Sequence, residues 1–270
     1  MHIQPITPSV GAAVSDIRIS EIGVSDAEAL RQTLRQYKVL VFKDQDVTSA
    51  EYVNFVRTFG DVVQDDLVPQ DGHPPELAVL HIRPEQRQTI NFWHMDYSFR
   101  EIPAPYLSLY AKHLPPCGGD TLFTNLEAAY AGLDDATKKR IDTLHAHHKV
   151  SETQNAAKRF TTEEFDAMVN DEPVCHPLAP VNPETGQRYL FVNVPIYCRA
   201  VAEMPDAEGD ALLSSLYAHA QRPEFHFRLR WEANTVVIWE NARCLHYPVS
   251  DYYPHERLMW RVATRGHQRP

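Results

Sequence analysis

Short apolar segments rich in β-branched and aromatic residues recur along this chain of 270 residues, and they constrain its fold more than any other feature. Segments of about four to eight residues with this character favour β-strands, whereas longer amphipathic segments favour helices. The predicted strands are 38–42, 106–113, 121–124, 188–193, 225–231, 235–239 and 258–264. The predicted helices are 25–36, 48–59, 126–148, 161–170 and 206–221. This pattern predicts a mainly β fold with added helices, in which the strands form a double-sheet jelly roll.

Two of the predicted helix starts carry a capping signature. Ser25 with Glu28, and Thr48 with Glu51, each place a hydroxyl three residues before a carboxylate. In a capping box the two side chains satisfy free amides of the first turn. Both helices are therefore predicted to begin at a capping box.

The composition fits one large soluble unit. With 43% apolar content, the chain is long enough for a single domain, 1–270, with a helical insertion around 126–170. Its net charge of −10 disfavours nucleic acid and acidic membrane surfaces as partners. No apolar run reaches the roughly 18 residues of a membrane span. The four widely spaced cysteines and an N-terminal segment unlike a signal peptide predict a reduced, cytoplasmic protein.

A possible metal site comes from three side chains that are far apart in the sequence. His94 is the only one of the 14 histidines that is followed two positions later by Asp or Glu, here Asp96. On a strand these two side chains would point to the same side. His246 follows a predicted strand and a turn. Two histidines and one carboxylate on one face of Fe(II) leave the opposite face open for O2 and organic ligands.

Two arginines and a threonine indicate an anion-binding site near that metal. Arg257 and Arg261 lie four positions apart in an apolar predicted strand, so they share one face. A buried guanidinium needs an anionic partner, which is either an acidic side chain of the protein or the carboxylate of a ligand. Thr121 follows a turn at Gly118-Gly119, and its hydroxyl could join Arg257 on such a carboxylate.

The order of these motifs resembles one enzyme family over nearly the whole chain. The segments that carry the resemblance are Trp93 to Phe99, Pro115 to Phe123, and Trp239 through His246 to Arg257 and Arg261. They are similar to those of the taurine dioxygenase/2,4-dichlorophenoxyacetate dioxygenase (TauD/TfdA) family. Members are dioxygenases with a double-stranded β-helix core, a cupin-like jelly roll, that use Fe(II), 2-oxoglutarate and O2, and many are homo-oligomers, so the same fold and cofactors are expected here.

The resemblance implies a role for each matching residue. His94, Asp96 and His246 would be the iron ligands, while Thr121 and Arg257 would hold the distal carboxylate of 2-oxoglutarate. Arg261 would face an anionic end of the substrate or help to hold the co-substrate. The expected reaction is hydroxylation of an unactivated C–H bond in a small molecule, with release of succinate and CO2.

Departures from the taurine enzyme bear on the substrate. Asp65 stands where that enzyme has a histidine for the sulfonate, Ile90 replaces a polar contact residue, and Ile196 replaces an aromatic residue. An aspartate would repel a sulfonate and could pair with an amine, so taurine is not expected. An anionic or zwitterionic substrate held by Arg261 is predicted, with Tyr97 in the apolar wall of the site.

Other functions remain open from the sequence alone. An enzyme of the cupin type could use the three metal ligands without a co-substrate, and the dioxygenase reaction could end in desaturation or another oxidation. A non-catalytic protein could bind metal through a histidine cluster that is predicted to end an exposed helix. That cluster consists of His145, His147 and His148. The segment 61–90, rich in Pro and Asp, is predicted to be a lid.

Overall fold

The computed structural model describes residues 1–64, 72–150, 169 and 171–270. Within these ranges the strands are β1 (His2–Pro5), β2 (Ala12–Ser15), β3 (Val39–Phe42), β4 (Val62–Val63), β5 (Ala78–Ile82), β6 (Tyr106–His113), β7 (Thr121–Asn125), β8 (His145–His148), β9 (Val174–Pro177), β10 (Cys198–Val201), β11 (His226–Leu229), β12 (Val236–Glu240), β13 (Cys244–Pro248) and β14 (Arg257–Thr264). The α-helices are α1 (Val24–Tyr37), α2 (Ser49–Arg57), α3 (Leu126–Ala131), α4 (Asp135–Ile141) and α5 (Asp206–Ala220).

Three sheets organise these strands. The largest has the order β1-β2-β3-β12-β6-β14-β4, and β5 also pairs with β14. The pair of β2 and β3 is parallel, whereas β12 pairs antiparallel with β3 on one side and with β6 on the other. A second sheet has the order β11-β7-β13, and a third has the order β10-β8-β9.

Alternation along the large sheet separates two apolar layers. Val41, Leu107 and Val237 face the second sheet and pack with its Phe123 and other inward side chains. The alternate positions of the same strands face the N-terminal helices α1 and α2 and pack against their buried residues. Because successive side chains of a strand point to opposite faces, both layers are built from the same strands. Two facing sheets with helices outside them confirm the predicted mainly β architecture.

The two predicted capping boxes have different outcomes. Thr48 accepts a hydrogen bond from the N–H of Glu51, and the Glu51 carboxylate accepts from the N–H of Thr48, so this box is formed. Helix α1 instead begins at Val24 after Gly23, and no side chain caps it. The box predicted at Ser25 is therefore wrong, because the N-cap position is Gly23, two residues earlier, and Ser25 lies inside the first turn.

Two other predictions about local structure are wrong. The apolar run 188–193 is buried, but within the described part of the chain it forms no ladder beyond one isolated bridge between Arg188 and Val181. The region predicted as the end of a helix is strand β8, which pairs with β9 and β10, and its His148 is fully buried. The histidine cluster is thus not an exposed helix end. The helix predicted over 161–170 lies almost wholly outside the described residues.

Candidate active site

His94 and His246 are brought together by a short piece of antiparallel pairing. The N–H of His94 donates to the carbonyl of His246 at 2.9 Å, and the N–H of His246 donates to the carbonyl of His94 at 2.8 Å. Strand β13 supplies His246, whereas His94 lies outside the named strands and pairs with His246 through this isolated bridge. Their rings consequently lie side by side, with centroids 4.1 Å apart.

Asp96 completes a cluster of three possible metal ligands. Its carboxylate oxygens lie 3.6 Å from Nε2 of His94 and 4.0 Å from Nε2 of His246. One ligand atom from each residue lies within 4.8 Å of the others. Nδ1 of His94 lies 3.0 Å from the carbonyl of Phe92, a contact in which the ring N–H donates and Nε2 keeps its lone pair. Among the described residues no other group of this kind is found. The donor set of two imidazoles and one carboxylate fits Fe(II).

Aromatic rings enclose the two histidines. The ring centroid of His246 lies 5.2 Å from that of Trp239 and 6.2 Å from that of Phe123. Phe92 packs against His94 with centroids 5.5 Å apart. Both histidines are less than one tenth exposed, at 4% for His94 and 6% for His246. This enclosure limits the access of water to the ligand cluster.

Arg257 is a buried cation at the start of β14. It is 6% exposed, its Nε has no hydrogen-bond partner, and no carboxylate of the described residues lies within 4.0 Å of its guanidinium. Burial lowers its pKa from the usual value, with a smaller opposing effect from Tyr252. An orphaned guanidinium in this position is suited to a carboxylate that arrives with a ligand.

Thr121 and the paired glycines lie beside Arg257. Thr121 is buried and its hydroxyl lies 2.9 Å from the indole nitrogen of Trp231, over whose ring Arg257 sits. A Cβ added at Gly119, where φ is +71°, would lie 3.5 Å from Cδ of Arg257. The turn thus allows the chain to pass close to the arginine, and it brings Thr121 to the neighbourhood predicted from the sequence.

Arg261 lies on the metal-ligand cluster itself. Its Nη2 donates to Oδ2 of Asp96 at 2.9 Å, and its guanidinium carbon lies 5.3 Å from the ring centre of Tyr97. Tyr97 has a positive φ of 60°, so the chain turns sharply directly after Asp96. The two arginines therefore differ: among the described residues Arg257 contacts no carboxylate, whereas Arg261 contacts the carboxylate of a predicted ligand.

The remaining predicted substrate residues are placed less directly. Ile90 and Ile196 are both half-buried. Ile90 belongs to a segment that Gln88 ties to Pro248 at the end of β13. Asp65 lies outside the described residues. Of the predicted lid 61–90, β4 and β5 are strands paired with β14, so these parts belong to the large sheet and not to a separate flap.

Sequence reasoning gave no role to two residues that contact the ligand turn. Asn193 and Asn241 are both buried, and both hydrogen-bond to the backbone of the His94–Asp96 segment. A signal was present in the sequence, because Asn193 directly follows a strongly apolar run and Asn241 follows another such run after one residue, Glu240. Buried polar side chains of this kind need partners, and such partners are often functional.

A jelly roll whose sheets present two histidines, one carboxylate and a buried unmatched arginine belongs to the class of non-haem iron oxygenases. Residues 2–263 match the family model described as Taurine catabolism dioxygenase TauD, TfdA family. The chain belongs to this family and is an Fe(II)- and 2-oxoglutarate-dependent dioxygenase that acts with O2.

Relatives and solved structures agree with this assignment. The chain is 30% identical over 264 residues to the alpha-ketoglutarate-dependent 2,4-dichlorophenoxyacetate dioxygenase of Cupriavidus pinatubonensis, covering 90% of each chain. It is 28% identical to a taurine dioxygenase from Burkholderia xenovorans with a TM-score of 0.83, covering 98% of this chain and 91% of that one. It is also 28% identical to AAD-2 in complex with Mn(II) and N-oxalylglycine, with a TM-score of 0.82 and coverage of 99% and 98%. These likenesses confirm the predicted jelly roll and co-substrate, and they disfavour the co-substrate-independent alternative.

Proposed function

We propose that His94, Asp96 and His246 hold Fe(II), and that Arg257 with Thr121 holds the distal carboxylate of 2-oxoglutarate, for the hydroxylation of a small anionic or zwitterionic substrate. The observation that carries this proposal is Arg257, whose buried guanidinium contacts no carboxylate among the described residues, in a fold that also brings the three possible metal ligands together. A structural ion pair would not leave this arginine unmatched.

Each group has a separate task in the proposed reaction. Bound Fe(II) supplies the oxidising chemistry, in which O2 and 2-oxoglutarate yield succinate, CO2 and an oxygen atom for the substrate C–H bond. His94 and His246 would each offer an imidazole nitrogen to the metal, and Asp96 would contribute the negative charge. Arg257 orients the co-substrate by two parallel hydrogen bonds to one carboxylate. The aromatic rings around His246 exclude water during oxidation.

Arg261 supports the proposed charge of the substrate. Its guanidinium, in contact with Asp96 and over the ring of Tyr97, stands at the edge of the ligand cluster, where an anionic end of a substrate would meet it. Ile90 and Ile196, both half-buried, would supply apolar contacts, and Asp65 would meet an amine. Taurine is not the substrate that these residues favour. The same chemistry ending in desaturation or another oxidation is the alternative outcome.

Further parts of the proposal concern the protein as a whole. The described residues contain no helix long and apolar enough to cross a membrane. We propose one domain spanning 1–270, with helices α3 and α4 in the inserted region, a cytoplasmic location and assembly into a homo-oligomer. The net charge of −10 disfavours nucleic acid and acidic membranes as partners.

An anaerobic titration of 2-oxoglutarate into the Fe(II)-loaded protein tests the site. We expect a weak visible charge-transfer band that saturates, because chelation of Fe(II) by the co-substrate produces it. Arg257→Ala should raise the concentration of 2-oxoglutarate at which the band is half-saturated, and His94→Ala should abolish the band. Arg222→Ala, which changes an exposed arginine paired with Glu224, is the matched control. Iron binding without any band would contradict the proposal. If the band is observed, a screen of small carboxylates and amino acids for succinate release would identify the substrate.

A further inference from the structure

Two buried asparagines hold the backbone of the turn that carries Asp96. The carboxamide oxygen of Asn193 accepts from the N–H of Met95 at 3.1 Å, and its nitrogen donates to the Met95 carbonyl at 2.9 Å. Asn241 repeats this arrangement on the next residue, accepting from the N–H of Asp96 at 3.2 Å and donating to the Asp96 carbonyl at 2.8 Å. Asn193 is 3% exposed and Asn241 is 0% exposed. Two consecutive residues are thus each gripped through both backbone groups.

The hydrogen bonds from the two asparagines satisfy backbone groups at a point where regular strand pairing ends. The strand-like pairing of this segment stops at His94, and the chain turns at Tyr97 with a φ of +60°. Met95 is only 1% exposed, so its peptide groups cannot rely on water. A carboxamide offers one acceptor and a donor at the spacing of a peptide group, and it can replace a missing neighbouring strand. A carboxylate lacks the donor, and an apolar side chain lacks both.

Each asparagine is itself fixed at further points. Asn241 donates a second hydrogen bond to the carbonyl of Ala104 at 3.0 Å, and its backbone N–H donates to Pro105 at 2.8 Å. Asn193 donates to the hydroxyl of Ser98 at 2.7 Å, and its Oδ1 also accepts from the N–H of Val194 at 2.8 Å. The two side chains therefore form a rigid support and not a pair of adaptable contacts.

The connection between β12 and β13 acts on two ligands at once. Asn241 begins the short 3-10 turn Asn241–Arg243 that leads from β12 into β13, and β13 carries His246. This connection delivers one proposed ligand directly and holds the backbone of Asp96 from behind. Asn193 comes from a different segment and holds Met95, which lies between the other two ligands.

We propose that Asn193 and Asn241 are positioning residues of the iron site, which fix the Asp96 carboxylate and the His94 ring in the geometry for metal binding. This inference rests on the proposed function of the three ligands. Groups that orient metal ligands from behind usually change metal affinity by about 10- to 100-fold when they are removed. The asparagine pair is therefore expected to act on the affinity for metal more than on the folding of the chain.

The test measures the dissociation constant of Mn(II) from its free EPR signal, without any turnover. The variants are Asn193→Ala, Asn241→Ala and the control Asn182→Ala. Asn182 is also a fully buried asparagine, but its carboxamide bonds Glu127 at 3.0 Å, away from the ligand cluster. The Asn193→Ala and Asn241→Ala variants should each bind Mn(II) about 10- to 100-fold more weakly, and the control should stay within about twofold of wild type.

The isosteric variant Asn241→Asp separates positioning from simple electrostatics and keeps the volume of the side chain if the alanine variant does not fold. An added negative charge close to a cation site would by itself strengthen Mn(II) binding. A positioning role of Asn241 predicts weaker binding instead, because an oxygen would replace the nitrogen that donates to the Asp96 carbonyl. Weaker binding by Asn241→Asp, with altered d–d bands of the Co(II)-loaded protein, is the expected result.

Two outcomes would overturn the inference, and they can be told apart. If His94→Ala loses Mn(II) affinity while both asparagine variants bind as tightly as wild type, the two asparagines do not position the ligands, although the proposed metal site is supported. If His94→Ala also binds as tightly as wild type, the proposed metal site is wrong, and so is the positioning role of the two asparagines.

Discussion

Arg257 stacks over Trp231, with its guanidinium carbon 5.8 Å from the centre of the indole ring, and Trp231 in turn hydrogen-bonds Thr121. The aromatic face offsets part of the cost of burying the charge. It also leaves the edge of the guanidinium available for the two parallel hydrogen bonds that a carboxylate accepts. Trp231 therefore links the two residues proposed to hold the co-substrate.

Arg257→Met should separate ligand binding from stability. The substitution keeps the volume but removes an unmatched buried charge, so the free energy of unfolding of the ligand-free protein should equal or exceed that of wild type by about 1 kcal/mol. The affinity for N-oxalylglycine in the presence of Mn(II) should fall by about 100-fold. Calorimetric titration and urea unfolding measure the two effects. Arg257→Lys keeps the charge without the planar guanidinium, so it should lose less affinity for N-oxalylglycine than Arg257→Met does.

Lys38 should be one of the most costly charged residues to remove. It is fully buried and lies 2.7 Å from the carboxylate of Glu127 and 3.5 Å from that of Glu240, whose pKa is raised by burial. Lys38→Met would leave these carboxylates with too little positive charge and should destabilise the protein by about 3–5 kcal/mol. Lys43→Met, at an exposed pair with Glu232, should cost less than about 1 kcal/mol. Equal urea midpoints for the two variants would contradict this account.

The two predicted helix starts offer a paired test of capping. Thr48→Ala removes the hydroxyl of a formed box and should lower the free energy of unfolding by about 1 kcal/mol. Ser25→Ala changes a residue inside the first turn of α1, which has no side-chain cap, and should stay within about 0.5 kcal/mol of wild type. Thermal and urea unfolding of both variants provide the measurement. A larger loss for Ser25→Ala would show that Ser25 caps α1 after all.

His148 should make the protein sensitive to acid. Burial, with smaller effects of His176 and His147, lowers its pKa from 6.5 to about 3. The unfolded chain takes up this proton near pH 6.5 and the folded chain does not until about pH 3, so stability is complete above pH 6.5 and falls as the pH drops. The slope from this group reaches about 1.4 kcal/mol per pH unit. In urea unfolding between pH 4.5 and 7, His148→Leu should flatten the dependence, whereas the exposed His2→Leu should not.

The sequence predicted the strands whose own residues decide their structure, and it failed where distant partners decide. The segments of β3, β6, β12 and β14 are apolar runs of four to eight residues that are mostly buried, so their pattern was sufficient. The run 188–193 is equally apolar but packs into the core without a ladder. Strand β8 exists because β9 and β10 lie beside it, and neither is visible from the residues 145–148.

The site shows the same division between local pattern and tertiary contact. The residues His94, Asp96, His246 and Arg257 were predicted because their chemical types and order are distinctive, and the structure brings the three proposed metal ligands together. The contact of Arg261 with Asp96 and the grip of the two asparagines depend on the approach of segments that are distant in the chain. No local pattern reports such an approach.

The central position of β12 also governs how the protein tolerates cutting. All five residues of β12 are buried, and four of them pair with β3 on one side. Deletion or proteolysis that removed β3 would expose a flat apolar edge with free N–H and C=O groups, which is a ready template for strands of other molecules. Strand β3 therefore shields the large sheet from aggregation, and truncated forms that begin after β3 should precipitate even if His94, Asp96 and His246 are intact.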